Sequence, residues 1–333
     1  MKAFEWSTPS TIDEAVKLLA EASADDPSES ARPMSGGQDL LTTMKERILV
    51  PKRVVNLKTI QGLDGIDGDG AKGLKIGALA KLHEIESHPQ IVKNFPAVAQ
   101  AAHSIATVQL RNLGTIGGNL CQRPRCLYFR LPHIVCLKKG GDTCYSEKGQ
   151  NKYNAIFGGG PSFIVHPSDL ATVLMALDST ITINGPKGPR DVPIAKFFVL
   201  PSDNASVENI LEDGEIVTQI QIPASAFAAR SAYIKFKERS SLDFAMVAAA
   251  AAVDIGPDQN VRQARLVLGA VAPVPWRVPK AEAVLVGKPL SDDNIRAACE
   301  AALEGAAPLE HNAYKIPLAK TLLRRALNSV KSA

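Results

Sequence analysis

Four of the five cysteines in this chain, Cys121, Cys126, Cys136 and Cys144, follow directly on a glycine-rich turn, Gly114-Thr115-Ile116-Gly117-Gly118-Asn119, with the spacing C-x4-C-x9-C-x7-C. A loop with four thiolates is what an iron–sulfur cluster requires, and a glycine-rich turn is what a phosphate-bearing cofactor requires. The two side by side point to a chain that moves electrons. Zinc and disulfides are rival uses of the loop. Zinc modules usually bring two close C-x2-4-C pairs, whereas these gaps are four, nine and seven. Disulfides need an oxidising compartment, for which the sequence carries no signal. Spacing alone leaves all three open. Cys299, inside the helical run Asp292 to Glu304, reads as a small buried core residue.

At 333 residues the chain has room for two or three packed units. Its 45% apolar and 22% charged composition is ordinary for a globular protein. A net charge of +4 with no Lys/Arg run gives no support for a nucleic-acid partner. The longest apolar stretch, Ala245 to Val253, falls far short of the roughly 20 residues of a membrane span. Met1-Lys2-Ala3-Phe4-Glu5-Trp6 has no apolar core or small-residue cleavage site. The expected location is the cytoplasm, or the periplasm by co-export with a signal-bearing partner.

The element pattern is α+β. Thr11 to Leu19 reads as an N-capped amphipathic helix, and Ala24 to Ser30 as a polar loop. Arg32-Pro33-Met34, Val54 to Leu57 and Leu74 to Ala78 are strand candidates, with helical character over Leu40 to Arg47 and from about Lys81. Gly62 to Gly73 alternates glycine and aspartate and reads as turns, and Asp64, Asp67 and Asp69 in it as a polar turn rather than a calcium loop. Pro96 to Ile105 and Leu170 to Leu177 read as helices, Thr180 to Pro193 as a hairpin, and Glu215 to Ile222 as a strand. The texture changes near Pro223-Ala224-Ser225. Beyond it, three strand-like runs predict a three-stranded antiparallel sheet, followed by helices at Pro279 to Val286, Asp292 to Glu304 and Ile316 to Val330.

Gly36-Gly37 lies between a short strand and a helix, and Gly117-Gly118 lies in a similar context. Such turns allow backbone N–H groups to approach an anion closely, and two of them can grip a pyrophosphate from two sides. Neither matches the Rossmann or P-loop pattern. Together with their neighbours they resemble a known family. Ser35-Gly36-Gly37-Gln38-Asp39-Leu40-Leu41, Arg111 to Asn119, Pro167-Ser168-Asp169-Leu170-Ala171 and Ile220-Gln221-Ile222-Pro223 resemble, in order, the motifs of the flavin-binding subunit of molybdenum hydroxylases, the xanthine dehydrogenase family.

That resemblance covers nearly the whole chain. It implies an FAD-binding fold of the vanillyl-alcohol oxidase (PCMH) type, built of two α/β subdomains at 1–57 and 58–224, and a C-terminal flavoprotein domain at 228–331. It implies that Pro33, Met34, Ser35, Gly36, Gly37, Gln38, Asp39 and Leu40 form a first pyrophosphate loop. Ile105, Thr115, Gly117, Gly118 and Asn119 would line the second loop and the flavin. Asp169 would hold the ribose or adenine side, with Val217 and Lys237 near the isoalloxazine. The cysteine segment is an insertion at about 120–158, which resembles the branch of periplasmic aldehyde oxidoreductases and 4-hydroxybenzoyl-CoA reductase. There it would ligate a 4Fe–4S cluster through Cys121, Cys126, Cys136 and Cys144. The segment Cys121 to Phe129 looks more like the aldehyde oxidoreductase type.

Arg123, Arg125, Arg130, Lys138 and Lys139 would offset a cluster's negative charge, or else coat a solvated loop. Of the six histidines, none forms a metal pattern; His166 alone could reach a cofactor. The resemblance implies a subunit that accepts electrons from a large molybdopterin-binding subunit through a small subunit with 2Fe–2S clusters. Its FAD would pass them to an external acceptor, and no general acid or base is expected. An aryl-CoA reductase subunit with electrons running inward is the enzyme alternative. A zinc-stabilised scaffold is the alternative of another class.

Overall fold

The computed structural model describes residues 1–21, 30–225 and 227–331. Except for Ser30, the loop expected at Ala24 to Ser30 lies outside the described residues.

Among the described residues, three sheets organise the chain. β1 (Glu5–Ser7), β2 (Ala31–Met34) and β3 (Arg53–Asn56) form a small parallel sheet in the order β1-β3-β2. The helix Ile12–Ala20 covers it. Thr11 caps that helix by accepting the Glu14 N–H at 3.2 Å, and Ala15, Val16 and Leu19 are its buried face.

β4 (Ile66–Asp69), β5 (Gly73–Gly77), β6 (Thr180–Gly185), β7 (Gly188–Pro193) and β8 (Ile216–Ile222) make an antiparallel sheet in the order β4-β5-β8-β6-β7. β4 corrects the expectation of turns over Gly62 to Gly73. Gly68 sits at φ +112°, and a Cβ there would lie 2.1 Å from the Gly73 carbonyl oxygen. Its glycine serves the close approach of two strands, not a loop. The helices Leu82–Ser87, Pro89–Asn94, Pro96–Ser104 and Asp169–Ala176 and the cysteine loop all lie between β5 and β6.

The C-terminal sheet is antiparallel: β9 (Ser231–Phe236), β10 (Val247–Ile255), β11 (Val261–Gly269) and β12 (Trp276–Arg277), in the order β12-β11-β10-β9. It has four strands where three were expected. The fourth is a two-residue edge pairing Trp276 and Arg277 with Leu268 and Val267, too short to leave a pattern in sequence. The alanine run of β10 is explained by its position between two cores. Ala248, Ala250 and Ala252 face one, which includes Leu170, Val173 and Leu174 of the helix Asp169–Ala176. Val247, Ala249, Ala251 and Val253 face the other, with Leu322, Leu323 and Leu327 of the helix Lys315–Lys331. Side chains alternate along a strand, and a strand flanked by helices on both faces leaves room only for small ones.

Candidate cofactor site

The two glycine turns meet. Gly36 packs so closely on the second turn that a Cβ would lie 2.0 Å from the Leu113 carbonyl oxygen. A Cβ on Gly118 would lie 2.9 Å from Ser35 Oγ, and Thr115 Oγ1 donates to Ser35 Oγ at 3.0 Å. Thr115 Oγ1 also accepts the Gly118 N–H at 3.2 Å. Gly37 has φ +70°, the left-handed region where glycine carries no Cβ penalty. The N–H groups of Gly36, Gly37 and Gln38 find no partner among the described residues. Close backbone approach plus free donors suits an anion.

Beside these turns opens a cavity of about 870 Å³, within the size range of cofactor pockets. Pro33, Met34, Ser35, Gly36, Gly37, Gln38, Asp39 and Leu40 all line it. So do Ile105, Thr115, Gly118, Asn119 and Asp169. Three residues of the expected set do not. Gly117 turns inward, donating its N–H to the Ala78 carbonyl at 2.9 Å. Val217 is a buried core residue of β8. Lys237 lies past the end of β9, and its Nζ donates to the Ser241 carbonyl at 2.7 Å.

The lysine that does reach the cavity is Lys235, which sequence reasoning missed. It donates to Asp169 Oδ2 at 2.8 Å, and Tyr233 donates to Asp169 Oδ1. Positions 233 and 235 share one face of β9, so strand alternation could have singled out Lys235. Burial, and then the Asp169 charge, hold the Tyr233 hydroxyl well above its usual range. Ser168 caps the Asp169–Ala176 helix by accepting the Ala171 N–H at 3.0 Å, and donates to Asn119 Oδ1 at 2.5 Å. The second glycine turn is thereby tied to the helix that carries Asp169. His166 does not line the cavity. Its ring packs on Phe198 at 4.6 Å, and burial pushes its pKa down to about 3.

The cysteine loop forms part of the cavity wall through Cys121, Gln122, Arg123 and Arg125. Its Arg123, Arg125, Arg130, Lys138 and Lys139 are each held by specific acceptors. Arg125 and Arg130 both donate to Asp39 Oδ1, Arg130 at 2.8 Å, and the Arg123 N–H donates to Oδ2 at 2.8 Å. Burial acts to raise the Asp39 carboxyl, but Arg125, Arg130 and the Arg123 N–H outweigh it and hold it below its ordinary range. Lys138, almost fully buried, donates to the carbonyls of Ala205 and Val207 at 2.8 and 3.0 Å and pairs with Glu208. Lys139 donates to the Leu131 carbonyl at 2.6 Å.

Among the described residues, no three or more His, Cys, Asp and Glu side chains are grouped so as to hold a metal ion. Cys126 and Cys144 are electrostatic neighbours. Burial raises the Cys126 thiol, while the N–H groups of Phe129 and Tyr128 and the Asn154 amide, 3.8 Å away, act against it. Burial also pushes Cys121 up to about 12. Cys299 is a buried core residue, as expected, raised to about 11 by burial.

The family model for the FAD binding domain in molybdopterin dehydrogenase matches residues 2–225, and that for the CO dehydrogenase flavoprotein C-terminal domain matches 231–330. The chain is 31% identical to the aldehyde oxidoreductase FAD-binding subunit PaoB of Escherichia coli (strain K12), covering 100% of this chain and 99% of that protein. It is 29% identical to the carbon monoxide dehydrogenase medium chain of Hydrogenophaga pseudoflava, covering 98% and 96%. Among solved structures, it superposes on a chain of the reconstituted CO dehydrogenase from Oligotropha carboxidovorans with a TM-score of 0.76 at 26% identity, covering 99% of this chain and 98% of that one. The chain belongs to the family of FAD-binding subunits of the molybdenum hydroxylases.

Proposed function

We propose that this chain is the FAD- and 4Fe–4S-carrying electron-transfer subunit of a heterotrimeric molybdenum hydroxylase that oxidises aldehydes. The observation that carries the reading is the junction of the two glycine turns beside a cavity walled in part by the cysteine loop. FAD supplies one- and two-electron transfer and a 4Fe–4S cluster supplies one-electron transfer; the protein supplies binding, orientation and electrostatics.

Each part of the cavity has a role in that reading. The N–H groups of Gly36, Gly37 and Gln38 meet the pyrophosphate. Arg32, whose guanidinium is lowered by burial with Asp213 acting to raise it, and Lys235 supply positive charge in the lining. Asp169, anchored by Tyr233 and Lys235, offers a fixed acceptor to a sugar or base. Residues 1–57 and 58–224 hold the flavin, and 228–331 close the cavity with the β9–β10 hairpin, through Arg239, Leu242, Asp243 and Phe244.

Four thiols on one loop, Cys121, Cys126, Cys136 and Cys144, would be the ligands of the cluster; among the described residues they are not drawn together as a metal group, so ligation would have to gather them. Ligation requires thiolates, so a metal centre would reverse the burial effect that keeps Cys121 protonated. Electrons enter from a large molybdopterin-binding subunit by way of a small 2Fe–2S subunit and leave to an external acceptor. The similarity to PaoB over the full chain favours aldehydes as the substrate class of the molybdenum partner.

The test is reductive titration of the assembled complex. Anaerobic addition of an aldehyde should bleach the flavin absorbance, and an external acceptor should restore it. Flavin that stays oxidised while the partner's 2Fe–2S clusters become reduced would refute the electron-transfer assignment. Reduction by purines but by no aldehyde would refute the substrate class.

A further inference from the structure

We infer that the cysteine loop is a retention element for the cofactor of the neighbouring cavity, with Asp39 as the positioning residue that joins the two. The inference rests on the FAD reading of that cavity.

Asp39 follows immediately on Gly36-Gly37-Gln38, and its carboxylate is wholly engaged by the cysteine loop. Oδ1 takes Arg125 and Arg130, and Oδ2 takes the Arg123 N–H at 2.8 Å. A bare carboxylate at this point would repel a pyrophosphate. Two guanidiniums more than offset its charge and fix the turn's exit at the same time.

The loop also grips two other walls of the cavity. The Arg125 guanidinium lies 4.7 Å from the ring centroid of Phe244 on the β9–β10 hairpin. Arg123 Nη2 donates to the Ser206 carbonyl at 2.9 Å and to Glu208 Oε1 at 3.1 Å. The loop itself is ordered around Phe129, with Arg123 and Arg130 at 4.8 and 5.5 Å from its ring.

One loop therefore braces the pyrophosphate turn, the C-terminal hairpin and the 205–208 segment against one another. Anything that orders the loop favours the cofactor-competent cavity, and by linkage the cofactor must order the loop. Asp39→Asn leaves two half-buried guanidiniums without their charge partner, which loosens all three ties between the turn and the loop rather than one contact.

The experiment is FAD titration of the full-length chain, stripped of flavin, followed by flavin fluorescence, together with hydrogen exchange of amides in 122–145 with and without FAD. Asp39→Asn and Arg125→Ala should each raise the FAD dissociation constant at least about tenfold. Arg125→Lys should recover part of the loss, since it keeps the charge but not the fork. Arg277→Ala, which breaks an ion pair with Glu282 away from the cavity, should lower the melting temperature without moving the constant. FAD should slow exchange in 122–145 of the unmodified chain, a readout that survives if Asp39→Asn does not fold. Wild-type FAD affinity in Asp39→Asn and Arg125→Ala, or exchange in the loop indifferent to FAD, would overturn the inference and leave the cavity reading standing. A wild-type chain that takes up no FAD would overturn both.

Discussion

Gly36→Ala probes the junction between the glycine turns. Its Cβ would lie 2.0 Å from the Leu113 carbonyl oxygen and 2.8 Å from the Leu113 carbonyl carbon. Both are backbone atoms, so no side chain can swing aside. Real Cβ contacts stay beyond about 3 Å, so the turns must part by about 1 Å. Overpacking of that kind costs about 1–3 kcal/mol, which corresponds to a loss of FAD affinity of about 5- to 150-fold if the strain is relieved only in the open, cofactor-free cavity. Titration of flavin-stripped protein by fluorescence reads this directly. Gly62→Ala is the control: φ is +83° but no atom lies within 4 Å of its Cβ. It should cost stability through backbone strain, of the order of 1 kcal/mol, and leave FAD affinity unchanged. Equal affinities for wild type and Gly36→Ala would refute the argument that these turns form the cofactor floor.

Lys315 and β10 give two further tests. Lys315 is buried, its Nζ donates to the carbonyls of Ala270 and Tyr153 at 2.7 and 2.9 Å, and burial lowers its pKa from 10.5 to about 7. Between those values the unfolded chain holds a proton that the folded chain has released, so stability should rise with pH above about 7, by up to roughly 1.4 kcal/mol per pH unit. Denaturant melts across that window should show the slope in wild type and its loss in Lys315→Met; parallel curves would refute it. Ala250→Leu pushes a larger side chain into the core between β10 and the Asp169–Ala176 helix, and should cost about 1–3 kcal/mol by denaturant midpoint; a neutral effect would mean that the helix does not press on the sheet there.

The glycine turns were legible because close backbone approach demands glycine at fixed local spacing, and Ser168-Asp169 was found only through the family resemblance. The strands with strong alternation or β-branched runs, such as β8, were legible for a similar reason. What stayed hidden was non-local. Asp39 and Arg125 are 86 residues apart, and nothing local in either position announces the pair. The cations of the cysteine loop read equally well as solvated or as cluster counter-charges, because sequence does not say which acids fold against them. Lys237 was named from the resemblance and Lys235 was not, whereas the end of β9 at Phe236 decides which lysine stays on the strand. β1 and β12 were missed because two or three residues make no period. The alanine run of β10 was read as apolar and strand-like, but its division between two cores could be seen only once helices lay on both faces.

On the proposed function, one chain carries a flavin in the cavity and an iron–sulfur cluster on the adjoining loop. The most direct measurement is the visible spectrum of the anaerobically purified chain, with flavin, iron, zinc and acid-labile sulfide quantified on the same sample. About one FAD and about four irons with matching sulfide per chain are expected. Flavin with one zinc and no sulfide would contradict the cluster while leaving the cavity assignment in place. A chain with neither chromophore, even when produced with its partner subunits, would contradict the account as a whole.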